Sequence, residues 1–126
     1  MRSNLTMEEL RARNARLPLF VFLIRPADGY GDPASPEGQQ ILRDHLNYWV
    51  DLEEEGKLFA AGPLDTEGGS MRRGGLAVIR AASREEAEQM AADEPFQKAG
   101  WRVNEVHAWT LNEGLLSRPA AQLASR

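Results

Sequence analysis

Cysteine is absent from the 126 residues, which excludes disulfides, thiolate nucleophiles and thiolate metal sites. That composition fits a reducing compartment, and a cytoplasmic location is expected. Long hydrophobic runs are also missing. The longest, Leu17 to Ile24, is interrupted by Pro18 and falls far short of the ~20 apolar residues a membrane-spanning helix requires. Residues 1–16 are charged and lack the apolar core of an export signal. There is no excess of basic residues: 15 Lys and Arg against 19 Asp and Glu leave a net charge of −4, and no basic stripe marks a nucleic-acid surface. Histidine is scarce, with only His45 and His107, on separate elements. Without cysteines this makes a poor zinc site, so no metal is expected. The pairs Gly68-Gly69 and Gly74-Gly75 fit neither a P-loop nor G-x-G-x-x-G and read as a flexible turn. No nucleophile elbow is visible.

What is present reads as one compact domain over residues 17–112, with an N-terminal extension at 1–16 and a C-terminal tail at 113–126. Within the extension, Thr6 and Glu9 have the spacing of a capping box before a short helix. Leu17 to Ile24 reads as a strand whose alternate sides are both apolar, so both must be covered. Ser35 and Pro36 suit the cap and first turn of a helix ending at Gly56. A strand at 57–61, a glycine-rich turn, a strand at 75–80, a helix capped by Ser83 with Glu86, and a strand at 101–110 complete the chain. In that last strand, Trp101, Val103, Glu105, His107 and Trp109 share one face. The order β-α-β-β-α-β predicts an α+β, ferredoxin-like fold with a four-stranded antiparallel sheet. Two helices cover only one face of such a sheet. A homodimer joined through the second faces is therefore expected.

His45 is the most informative residue. In the helix from Glu37 to Gly56, Ile41, Leu42, Leu46, Trp49, Val50 and Leu52 fall on one side, and His45 projects among them. A buried imidazole left without a hydrogen-bond partner costs about 1–3 kcal/mol. It is either a satisfied core histidine or a group that moves protons in a cavity.

The spacing from His45 through Gly56, Ala61-Gly62-Pro63 and Ser83 to Glu94-Pro95-Phe96, Gly100 and Trp109 resembles the YCII-related (YciI-like) family over residues 17 to about 112. The resemblance implies a dimeric α+β barrel and a cavity where the helix-borne histidine meets the carboxylate preceding the Pro-aromatic pair. It also implies a lyase- or isomerase-type proton transfer on a small cyclic or aromatic compound, without metal or organic cofactor. The family usually has Asp before the proline. Here Glu94 holds that position and Asp93 precedes it, so either carboxylate is a candidate partner for His45.

A His–carboxylate pair is a sensible general-base unit: the acid fixes one ring nitrogen and the other removes a proton. Arg25, at the end of the first strand, could aim at the cavity mouth and pair an enolate or carboxylate, although a surface ion pair is the commoner fate of such an arginine. Gly62, Pro63, Phe96 and Trp109 are further candidates for contact with a small-molecule ligand. Trp49, Phe20, Phe22 and Phe59 could join an aromatic pocket but by default belong to core and interface. Tyr30 and Tyr48 are possible acids. The competing expectation is a non-catalytic module that binds a small ligand or assists another enzyme.

Overall fold

Ten residues rich in Leu, Phe and Val, Leu17–Pro26, make the first strand, β1. In the computed structural model, which describes residues 2–69 and 71–118, it joins β2 (Leu58–Pro63), β3 (Gly75–Ile79) and β4 (Arg102–Leu111). The four strands lie in the order β2-β3-β1-β4. Both β1 and β2 run antiparallel to β3, with Phe22 opposite Ala77 and Ala61 opposite the same Ala77. This is the ferredoxin-like α+β order that the element sequence predicts. The helices are α1 (Met7–Ala12), α2 (Pro36–Glu54), α3 (Arg84–Asp93) and the short α4 (Pro95–Lys98), and a 3₁₀ turn follows at Leu115–Ser117. Residues 119–126 of the expected tail lie outside the described residues.

Helix boundaries follow local chemistry. Ser35 accepts from the Gly38 N–H at 3.0 Å and Ser83 from the Glu86 N–H at 3.1 Å, each satisfying one of the donors that a helix start leaves unpaired. Gly56, at φ +76°, carries the chain out of α2 in the left-handed region where glycine has no Cβ penalty. Pro95 ends α3, and the chain restarts at once as α4, capped by Glu94.

Residues 19–108 form one unit. Its main core packs Phe22, Ile24, Ala77, Ile79 and Val106 of the sheet against Leu52 of α2 and Ala87, Met90 and Ala91 of α3. A second cluster joins Ile41 of α2, Phe96 of α4 and Trp101, with Tyr30 against it. The structure departs from two expectations. The apolar stripe of α2 is only partly buried: Ile41, His45 and Leu52 go inside, while Leu42, Leu46 and Val50 remain exposed along an adjacent i, i+4 row. Trp101 precedes β4 rather than sharing its outer face, and it fills the second cluster. The inward positions of β4 are instead Asn104 and Val106.

The terminal stretches make a second unit, with boundaries at Pro18 and Trp109. Its helix α1 is capped by Thr6, which accepts from the Glu9 N–H at 3.1 Å. Within the same unit the Ala15 N–H donates to the Asn112 carbonyl at 2.9 Å. Among the described residues, no helix is long and apolar enough to cross a membrane.

Candidate active site

Burial of His45 on α2 and of Glu94 at the α3–α4 junction brings the two side chains together. His45 is 7% exposed and Glu94 1%, and His45 Nδ1 lies 2.8 Å from Glu94 Oε2. The position of Glu94 has a local cause. As the cap of α4, its carboxylate turns back over the first turn and accepts from the Phe96 N–H at 2.8 Å and the Gln97 N–H at 3.2 Å. The Asn104 amide adds a third donor at 3.1 Å, and the same amide also donates to the Ala91 carbonyl. Burial pushes the Glu94 carboxyl up. The bond from His45, the Phe96 N–H, the Asn104 amide and the charge of His45 outweigh that and hold it below its ordinary 4.5.

This arrangement fixes the histidine tautomer. An ionised carboxylate only accepts hydrogen bonds, so Nδ1 must carry the proton and donate it. Among the described residues Nε2 has no protein partner, nor is it among the sealed polar atoms that lack one. His45 also lines a cavity of about 460 Å³. Trp49 and Phe96 set the ring plane from two sides, each with its centroid 5.0 Å from the imidazole in edge-on geometry.

The other predicted site residues divide clearly. Gly62 and Pro63 line the cavity. Phe96 is buried behind His45 and does not face the opening. Asp93 is exposed and accepts from Gln89 at 2.9 Å, so the carboxylate beside His45 is that of Glu94. Arg25 does not line the cavity. Its guanidinium donates to Glu105 at 2.6 Å, and Glu105 also meets His107 at 2.6 Å. Trp109 is exposed and outside the lining. Of the two tyrosines, Tyr48 donates to the Met90 carbonyl at 2.8 Å, and burial, then the charges of Asp93, Glu94 and Glu55, push its hydroxyl up to about 12. It is therefore a tether and a poor proton donor. Tyr30 does line the cavity.

Three residues were not singled out from the sequence. Asn104 supports Glu94, and its position as a polar residue between the inward Val106 and the start of β4 was the available signal. Arg73 and Arg102 reach the cavity wall, and both guanidiniums lie over the Tyr30 ring, 5.3 and 5.9 Å from its centroid. Arg73 holds a left-handed φ of +64°, which costs a non-glycine residue about 1–2 kcal/mol. The next residue, Gly74, packs so tightly that an added Cβ would lie 2.2 Å from the Ile24 carbonyl oxygen. The hairpin turn is thus wedged against β1.

The chain belongs to the YCII-related domain family, which matches residues 19–110. No protein of curated function matches it. Among solved structures it is similar to 5-chloro-2-hydroxyhydroquinone dehydrochlorinase (TftG) from Burkholderia phenoliruptrix AC1100, in complex with 2,5-dihydroxybenzoquinone. The two share 26% identity over 71% of this chain and 92% of that one, with a TM-score of 0.48.

Proposed function

We propose that the protein is a proton-transfer enzyme of lyase or isomerase type, acting on a small cyclic or aromatic compound with His45 as general base and Glu94 as its positioning partner. The observation that carries the reading is that one histidine both bonds Glu94 through Nδ1 and lines the cavity. Nε2 takes a proton from a carbon beside a carbonyl, and the electron pair moves onto the carbonyl oxygen as an enolate. Return of the proton elsewhere isomerises the compound. Departure of a leaving group from the β carbon completes an elimination. Glu94 stabilises the imidazolium formed and keeps its own charge, since three N–H groups besides the histidine donate to it.

The reading includes a homodimer formed through the sheet face opposite α2 and α3. Val21, Leu23, Leu76, Val78 and Val103 fall in that phase of their strands, and Leu76 and Val103 are exposed.

The direct test is deuterium incorporation into an enolisable cyclic ketone, such as cyclohexanone, in deuterated buffer. Wild-type protein accelerates incorporation above buffer, and His45→Gln loses about 10²–10⁴-fold of that rate. Equal rates for the two proteins, or no acceleration by either, would favour a non-catalytic binding module instead.

A further inference from the structure

The ionisable groups on the cavity wall are one imidazole, one phenol and two guanidiniums: His45, Tyr30, Arg73 and Arg102. Among the described residues no carboxylate lines it, although the chain as a whole carries a net charge of −4. Among the described residues, neither Arg73 nor Arg102 makes an ion pair, whereas Arg25 and Arg84 both do. The Arg102 Nε is buried with no hydrogen-bond partner. Arg102 is held from behind, its guanidinium 3.8 Å above the Phe96 ring, the ring that also touches His45. Arg73 is presented from the wedged hairpin in an unfavourable backbone conformation. Two guanidiniums 5.3 and 5.9 Å from the centroid of one tyrosine ring repel each other, and an anion within reach of both relieves the repulsion. Around them the wall is apolar, with Trp49, Leu42 and Leu46.

We infer that the cavity is an anion site: Arg73 and Arg102 clamp the carboxylate or phenolate oxygen of a planar aromatic ligand whose ring lies against Trp49, Leu42 and Leu46. The inference rests on the proton-transfer reading only in taking this ligand to be the substrate of His45. On that reading the same guanidiniums receive the negative charge that the enolate develops. Arg25, already committed to Glu105, has no part in this.

Benzoate and the neutral isostere benzamide are suitable probes, titrated into the full-length protein at low salt and followed by amide NMR shifts. Benzoate binds the wild type at least about tenfold more tightly than benzamide, the factor one charge-assisted contact contributes. Arg73→Gln and Arg102→Gln each remove about that factor for benzoate and leave benzamide unchanged. Arg73→Lys restores part of it. Because Arg102 also packs on Phe96, Arg73→Gly is the control for folding. It removes the guanidinium and the strained φ together, so melting does not fall while benzoate affinity does. Indistinguishable binding of the two probes, absence of benzoate binding at millimolar concentration, or full benzoate affinity in Arg73→Gln would overturn the inference. Wild-type protein that binds benzoate through both arginines yet exchanges no deuterium keeps the anion site and refutes only the base.

Discussion

A carboxylate buried as deeply as Glu94 survives in ionised form only because four donors converge on it. Glu94→Gln replaces one acceptor oxygen with an NH₂ group that must face a donor, so it leaves buried polar groups unpaired and costs about 1–3 kcal/mol. The pH dependence has a definite sign. The folded-state pKa lies below the ordinary 4.5, so the carboxylate contributes stability that is present above that value. It is lost as pH falls through the depressed pKa. Urea denaturation of the wild type across this acid range should therefore show a steeper loss of stability than Glu94→Gln. Parallel profiles would mean that Glu94 is not held in ionised form. Of this residue-scale detail, the His45–Glu94 juxtaposition was accessible from the sequence through the family spacing. The choice between Glu94 and Asp93 was not, because it depends on α4 starting at Pro95 and requiring a cap.

The elements that hold the pair apart from bulk water are α2 and α3–α4, and Tyr48 ties the first to the second through the Met90 carbonyl. Tyr48→Phe should cost about 0.5–1.5 kcal/mol in chemical denaturation. Its hydroxyl pKa is pushed up to about 12 from 10.0, so the tether's contribution is complete below pH 10 and falls as pH rises toward 12. Wild type and Tyr48→Phe should accordingly converge in stability over that interval, and a constant gap would contradict the assignment. Element boundaries were legible where a cap or a Gly/Pro marks them, at Ser35, Gly56, Ser83 and Pro95. The place of Trp101 was not. The sequence grouped that bulky ring with Val103, Glu105, His107 and Trp109, and the competing pull of the Ile41–Phe96 cluster has no sequence-local signature. The α2 stripe was overextended for a related reason: apolar periodicity shows which side is greasy, not how much of it is covered. Leu42 and Leu46 turn out to border a cavity.

At the scale of the molecule, the strand and helix order was enough to specify the sheet, since each segment's period agrees with its place in the fold. Arg73 and Arg102 lie 29 residues apart and converge only once the β2–β3 hairpin and β4 are in place, so no linear spacing announces the anion site. The proposed homodimer carries its own expected outcome. Sedimentation at micromolar concentration should give twice the 14.0 kDa chain mass. Leu76→Lys, at an exposed position of the proposed interface, should shift that toward the monomer while leaving far-UV circular dichroism intact. A wild-type monomer would refute the assembly without touching the site.

Glu94 imposes one tautomer on His45, and long-range ¹H–¹⁵N NMR of imidazole-labelled protein reads it directly. The neutral His45 ring should carry its proton on Nδ1 and present a bare, acceptor-type Nε2. The Glu94→Gln variant should lose that bias. Observation of the Nε2–H form in the wild type would leave no lone pair facing the cavity and would contradict the proposed base.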